Sequence, residues 1–283
     1  MVLNYLNHEQ SVLCVQDLLA QDHPGLDVVV VDNHSANDSF ESLRAAFASE
    51  ERVVVLQTDS NLGYAGGNNF GARWRMDHGP VDYILISNND VRLPDGTTVR
   101  TLVEFAETRS DLGGVGPRVV TPNGFPQGPY RRPHAALRTL RNLLPVFPLA
   151  YRYWRRSVPD RTAARCYAVV GAFMLVKAEP FARAGMFDEE TFLGAEEYIL
   201  AERLRRIGLT FWYVPSTTVV HNHKQSAIVR TGGETRHSGA GLASMLYYFR
   251  TYQKVNPAVL RSFEISAQLY NRLLLPIRRR FTI

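Results

Sequence analysis

The chain has 283 residues, 45% of them hydrophobic, and a formal net charge of +5 at pH 7. That size suits one large α/β domain, or a domain with a small appendage. No apolar run is long enough to span a bilayer, no signal-peptide pattern precedes the first strand and no nucleic-acid motif appears, so neither a membrane-spanning nor a nucleic-acid-binding protein is expected.

Residues 2–5 predict a short strand. Asn7, with Gln10 three residues on, forms a capping-box pattern for a helix with apolar positions Val12, Leu13, Val15, Leu18 and Leu19. Residues 26–31 predict a second strand, ending at Asp32-Asn33-His34-Ser35. Asp38 and Glu41 repeat the capping pattern for a helix through about residue 49. A third strand at 53–57 leads through Asn61 and Gly63 into a helix over 65–77, closed by Gly79. The aliphatic run at 81–86 predicts a fourth strand, buried and parallel, that delivers Asn88, Asn89 and Asp90 to its carboxyl end. A helix over 97–108 and a strand over 114–120 follow. This alternation implies a mostly parallel, doubly wound sheet with right-handed crossovers over the first 120 residues or so.

The chain then changes character. Residues 121–165 are rich in Pro and Arg and contain an apolar-basic patch at 137–156. A strong strand is expected at 167–177, a helix at 197–207 ended by Gly208, and short strands at 211–214 and 218–221. Residues 240–280 are expected to be helical, broken at Pro257 and Pro276. Arginines crowd into 131–165 and 272–280, which suggests an anionic surface or substrate. Cys14 and Cys166 form no CxxC pattern, which points to a reducing compartment and no structural zinc.

In open α/β sheets, ligands sit at the carboxyl ends of the strands. Two common phosphate cradles are excluded: the first strand–helix turn is Asn7-His8-Glu9 rather than Gly-rich, and no GxxxxGK[ST] occurs. Side chains at strand ends must therefore hold the ligand. Asp90 suits a hard divalent cation carrying a diphosphate, although Asn and Asp are also common in plain strand–helix turns. Asp32 suits a base N–H or a ribose hydroxyl, Asp38 being better placed as the helix cap. Glycines at 63, 66 and 67 cost helix stability of about 1 kcal/mol each. Close approach to a ligand and tight packing without one explain them equally well. His8, His34, His134, His223 and His237 are expected to be surface or cap residues.

These residues carry a family resemblance. Val31-Asp32-Asn33-His34-Ser35 resembles the VDNxS motif of family 2 glycosyltransferases, Asn61 to Asn69 their NxGxAGGNN motif, and Asn88-Asn89-Asp90 their DxD-like metal motif. Gly171-Ala172-Phe173-Met174 resembles their acceptor-side strand. Phe187-Asp188-Glu189 through Glu196-Glu197 resembles FDExFFLYxED, and Tyr213 to His221 resembles YVPxAxVxH. The ordered set spans residues 2 to about 225 and is most similar to the rhamnosyltransferase-like branch that builds bacterial surface glycans.

The resemblance implies a GT-A fold and an inverting transfer to a hydroxyl. The donor would be a nucleoside-diphosphate sugar such as dTDP-rhamnose or a UDP-sugar, the acceptor a glycan or lipid-linked molecule, and the cofactor Mg²⁺ or Mn²⁺. It places Asp32, Asn61, Gly66 and Asn69 at the nucleotide, joined by the strand-end residues Tyr5 and Asn89. Asp90 and His221 would hold the metal. Gly171, Ala172 and Glu196 would face the acceptor, and Glu197 would be the general base. Three positions depart from the pattern: Glu197 stands where the family has Asp, Ile199 where a second Asp is common, and Asn88 where DxD has its first Asp. A nucleotidyltransferase is the enzymatic rival, but it needs a Gly-rich basic loop after the first strand. A sugar-nucleotide-binding protein without turnover is the other alternative.

The expected organisation is a nucleotide-sugar half at 1–120, an acceptor and catalytic half at 121–225 and a helical extension at 226–283. The tail pairs Leu242, Met245, Leu246, Phe249, Leu269, Leu273, Leu274 and Leu275 with Arg272, Arg278, Arg279 and Arg280. Two readings of it stand level: an interfacial element drawn to anionic lipid at the cytoplasmic face, and a helical pair packed on the catalytic domain.

Overall fold

The computed structural model describes residues 1–143, 161–222 and 234–274. Among these, nine strands form one sheet: β1 (Val2–Asn4), β2 (Val28–Asp32), β3 (Val53–Gln57), β4 (Tyr83–Asn88), β5 (Val91–Arg92), β6 (Leu112–Val120), β7 (Ala164–Cys166), β8 (Phe173–Lys177) and β9 (Thr210–His221). The order is β3-β2-β1-β4-β8-β6-β9-β5, with β7 paired to β9. The helices are α1 (His8–Leu19), α2 (Ser39–Ala46), α3 (Gly63–Asp77), α4 (Thr98–Glu107), α5 (Ala135–Leu143), α6 (Ala178–Arg183), α7 (Glu196–Arg206), α8 (Glu234–Thr251) and α9 (Pro257–Leu269). A π-helical turn, Tyr270–Leu274, follows α9.

The sequence of β2, four valines and Asp32, is buried throughout, as a parallel strand covered on both faces must be. Alternate side chains enter opposite cores. Val28 and Val30 join Val15, Leu18 and Leu43 of α1 and α2. Val29 and Val31 join Ala65 and Ala72 of α3. The third helix lies close because it is glycine-rich: a Cβ on Gly71 would collide with the side chains of Met1 and Val31. From β1 the chain proceeds to β2 and β3 on one side, then returns to β4 on the other. That reversal opens a crevice at the carboxyl ends of β1 and β4.

The parallel run β3-β2-β1-β4 is as expected, but the sheet is mixed beyond it. Strand β8, from much later in the chain, inserts antiparallel between β4 and β6, so β6 runs in the direction of β4 but pairs with β8 and, in parallel, with β9. The strand expected at 167–177 begins only at Phe173. The two short strands expected at 211–221 are one, β9, with a register shift where Val214 and Thr218 become successive partners of β6. Elements β7, α5 and α6 were not foreseen. Asn7 caps α1 as expected, its Oδ1 accepting from the backbone N of Gln10 at 3.3 Å. Asp38 makes no side-chain cap to α2; instead Asn37 Oδ1 accepts from Ser39 N at 3.3 Å.

The tail is helical as read. In α8, Met245, Tyr248 and Phe249 are buried against Leu260, Phe263 and Ala267 of α9 and against Ile199, Leu200 and Leu204 of α7. Phe249 and Phe263 meet edge to face at 5.3 Å. This stretch follows the packing alternative. Pro257 opens α9 behind the Asn256 cap. Expectations for Pro276, for 144–156 and for the side chains at 273–280 lie outside the described residues.

Candidate functional site

Strand β4 ends in the crevice, and Asp90 follows it at 1% exposure. Neither carboxylate oxygen of Asp90 has a hydrogen-bond partner. His221, at the end of β9 and itself buried, places Nε2 3.3 Å from Asp90 Oδ1. Pairing of β5 with β9, Val91 opposite His221, brings the two together. The imidazole is fixed from behind: Nδ1 lies 2.7 Å from Gln127 Oε1, and Gln127 Nε2 donates to His221 O at 3.2 Å. Facing an acceptor oxygen, Nδ1 carries the proton. Nε2 then accepts from Asn88 Nδ2 at 3.5 Å and lies 3.3 Å from Asp90 Oδ1 without a hydrogen bond to it. Gln127 sets the tautomer as supporting partners of metal-binding histidines do. Sequence reasoning missed it, because it sits in the irregular stretch after β6, and only the β6–β9 pairing brings it to His221.

Asp32 ends β2 fully buried. Oδ1 accepts from Asn4 Nδ2 at 2.7 Å and Ser35 Oγ at 2.6 Å. Oδ2 accepts from Ser35 N and Gln57 Nε2, both at 3.0 Å. Its position at the crevice is as expected, with a role in holding the loop after β2 added to it. Asn33, which the sequence reading did not single out, organises the α3 entrance: Nδ2 donates to Asn61 Oδ1 and Gly63 O, and Oδ1 accepts from Leu62 N, each at 3.0 Å. Asn61 is thus held by protein groups and also accepts from Gly63 N. Gly66 gives room to Leu62, which a Cβ would meet at 2.7 Å.

Asn69 points elsewhere than expected. Its amide is spent on Phe187 and Glu189, donating to Phe187 O at 3.0 Å and accepting from Phe187 N at 3.1 Å. Asn89 likewise braces the β1–α1 turn, donating to Asn7 O and Ser11 Oγ at 3.1 Å. Tyr5 is half-buried just after β1, at the crevice.

The acceptor-side residues converge on the same mouth. Ala172 O accepts from Asn88 N at 2.8 Å, tying the β8 lead-in to the end of β4. Gly171 O accepts from Tyr64 Oη at 2.6 Å, and a Cβ on Gly171 would stand 3.6 Å from Glu197 Oε2. The loop before α7 docks on α3, with Tyr64 N donating to Phe192 O at 2.8 Å. Gly63 must be glycine there, since its φ is +70° and a Cβ would strike Phe192 O.

The two glutamates at the start of α7 differ. Glu196 is buried and accepts from Gly194 N at 2.6 Å. Burial, and then the charge of Glu197, push its pKa up to about 8. Glu197 is half-buried and faces Gly171. Ile199, at the family's second acidic position, is wholly buried in the core.

This mixed sheet is the GT-A fold of nucleotide-sugar-dependent transferases. The mannosyltransferase of Pyrobaculum calidifontis, solved with GDP-Man and Mn²⁺, superposes with a TM-score of 0.61 at 17% identity, over 96% of this chain and 69% of that one. GalNAc-T7, solved with UDP, GalNAc and Mn²⁺, superposes with a TM-score of 0.62 at 13% identity, over 95% and 54%. The chain belongs to glycosyl transferase family 2, whose model matches residues 8–175. It is 27% identical over 227 residues to the N-acetylglucosaminyl-diphospho-decaprenol L-rhamnosyltransferase of Mycobacterium tuberculosis, covering 74% of this chain and 70% of that one. It is 24% identical over 221 residues to the low-salt glycan biosynthesis hexosyltransferase Agl10 of Haloferax volcanii, covering 78% of this chain and 66% of the relative.

Proposed function

We propose that the chain is an inverting, metal-dependent glycosyltransferase that moves a sugar from a nucleoside diphosphate to a hydroxyl of a glycan or lipid-linked acceptor. One observation carries the metal and donor site: the buried carboxylate of Asp90 has no hydrogen-bond donor on either oxygen and lies 3.3 Å from Nε2 of His221. A buried charge without a partner is costly enough that it calls for a counter-charge. Asp90 and His221 would hold Mg²⁺ or Mn²⁺. No group of three or more His, Cys, Asp or Glu able to hold a metal occurs among the described residues. Diphosphate oxygens would complete the shell, as is usual for Mg²⁺. Such an ion, when bound, supplies neutralisation of the charge on the leaving diphosphate.

The chain's own groups do the rest. Asp32, fully buried and fixed by Asn4, Ser35 and Gln57, would shape the loop after β2 against which the base or ribose lies. Glu197 takes the proton from the acceptor hydroxyl as that oxygen attacks the anomeric carbon opposite the diphosphate, so one displacement inverts the centre. Glu196, whose pKa burial and the charge of Glu197 raise to about 8, is buried and pins the loop at Gly194, so the half-buried Glu197 is the base proposed. Residues 1–120 would be the donor half, 121–225 the acceptor half and the rest an extension, helical at Glu234–Thr251 and Pro257–Leu269. The relatives, a rhamnosyltransferase and a glycan-biosynthesis hexosyltransferase, support sugar transfer in glycan synthesis; the donor proposed is dTDP-rhamnose or a UDP-sugar, and the place proposed is the cytoplasmic face of a bacterial membrane. No helix among the described residues is long and apolar enough to cross a membrane.

The test is release of nucleoside diphosphate from dTDP-rhamnose, UDP-glucose and GDP-mannose in the presence of Mn²⁺ and hydroxyl acceptors. Metal-dependent turnover with one donor is expected. Binding of a donor with no turnover on any acceptor would favour the alternative, a sugar-nucleotide-binding protein. Absence of both would end the proposal.

A further inference from the structure

Two stretches of the sequence contain no Asp or Glu: 112–159, with eight arginines, and 265–283, with four. They are far apart in the chain, yet the fold joins them. Helices α5 and α9 pack together where Asn142 Nδ2 donates to Ser266 Oγ at 3.1 Å, both residues buried. The inner face of α9 is used by Leu260, Phe263 and Ala267. Other aliphatic side chains beside the crossing are left in solvent: Leu140 at 43%, Leu143 at 51%, Ile265 at 43% and Leu269 at 44% exposure. Leu140 and Leu143 are three residues apart, Ile265 and Leu269 four, so each pair shares one helix face. With Val259, five of the eight exposed large hydrophobics among the described residues lie on these two helices, so the exposure is concentrated rather than scattered. Arg141 and Arg272 flank them.

We infer that the α5–α9 face docks on an anionic lipid surface. Aliphatic side chains amid arginines, with the adjacent carboxylate, Glu264, paired to Arg261, are the chemistry of an interfacial element, in which area buried in the bilayer adds to attraction by anionic headgroups. The chain beyond Leu143 and beyond residue 274 continues in the same chemistry: 144–156 holds Leu, Val, Phe, Tyr and Trp with three arginines, and 275–283 holds Leu, Ile and Phe with three more. A second copy is a poor occupant, because a two-fold contact would set arginines against arginines, and the adjacent carboxylate, Glu264, is already paired to Arg261. The inference deepens the membrane-facing part of the proposed function and is independent of the transfer chemistry.

The test is co-sedimentation of the full chain with vesicles of phosphatidylcholine alone, or mixed with phosphatidylglycerol, at low and high salt. Binding to the anionic vesicles, weakened by salt, is expected. Leu140→Gln/Leu143→Gln/Ile265→Gln/Leu269→Gln should weaken it roughly tenfold or more. Arg141→Gln/Arg272→Gln should weaken it on the order of fivefold per arginine, and this second variant keeps the test open if the first misfolds. Wild-type protein left in the supernatant with anionic vesicles at low salt would overturn the inference. So would a folded aliphatic variant that binds as tightly as wild type, or a wild-type dimer on gel filtration that the same variant dissolves. A protein that binds these vesicles but no nucleotide would sustain this inference and count against the transferase reading alone.

Discussion

At the residue scale, the two glutamates opening α7 make opposite forecasts. Glu197→Gln keeps shape but removes the basic oxygen, so turnover should fall by a factor on the order of 10²–10⁴ while nucleotide affinity holds, since the proposed metal and donor site lies at Asp90 and His221. Turnover assays beside calorimetric titration of the nucleotide separate the two effects; near-normal turnover would show that the base lies elsewhere. Glu196 has its pKa raised, by burial first, to about 8. Between the ordinary carboxylate value and about 8 the native state therefore holds a proton that the unfolded chain has lost, and stability falls as pH rises through that window. Glu196→Gln should flatten that slope in denaturant melts taken across the window; an unchanged slope would contradict the burial argument. Asp32, Asp90, His221 and Glu197 were legible because strand ends and ordered motifs single them out. Asn33 and Gln127 were not, because their roles are hydrogen bonds across elements that no local pattern records. Asn69 sat in the expected motif, yet it serves the Phe187–Glu189 segment.

At the element scale, the contact of α8 and α7 with the catalytic loop turns on Asp188. It accepts from Tyr252 Oη at 2.5 Å and Tyr247 Oη at 3.0 Å, and pairs with Arg203 at 3.1 Å. Burial raises its pKa, but the bonds from Tyr252, Arg203, Glu190 N and Tyr247 together outweigh burial and hold it low. A lowered carboxylate stabilises the fold above its unfolded-state value, and that contribution is lost as pH falls through the folded one. Asp188→Asn should cost about 2–4 kcal/mol at neutral pH and remove part of the acid-side loss of stability; urea melts at neutral and acid pH check both. A chain cut near residue 255 should lose stability outright, because α9 covers Phe249 and Met245 of α8; a truncated chain melting like wild type would show that α9 is dispensable. The helices other than α5 and α6 were legible from apolar periodicity and capping signals. Strands β7 and β8 were misjudged in presence or extent because turn geometry at Gly171 and Ala172, not composition, ends the pairing.

For the whole molecule, the alternation of strands and helices gave the parallel half of the sheet, and the motifs gave the class. The antiparallel insertion of β8 was not legible, since nothing local to residues 173–177 states which strands they separate. The two acid-free stretches were visible as composition, but only the α5–α9 crossing shows that they form one surface. The donor site at the β1–β4 reversal remains the centre of the molecule, and its metal dependence tests it most directly. The measurement is the melting temperature of wild type and Asp90→Asn with UDP, dTDP or GDP, each with and without Mn²⁺. Nucleotide at a hundred times its dissociation constant adds about 2.7 kcal/mol. Wild type should gain that stabilisation with one nucleotide only when Mn²⁺ is present. Asp90→Asn, relieved of a buried charge, should melt no lower than wild type without ligand and should lose the Mn²⁺-dependent gain. A variant that keeps the full gain, or a wild type indifferent to Mn²⁺ with every nucleotide, would contradict the assignment of Asp90 and His221 as the metal site.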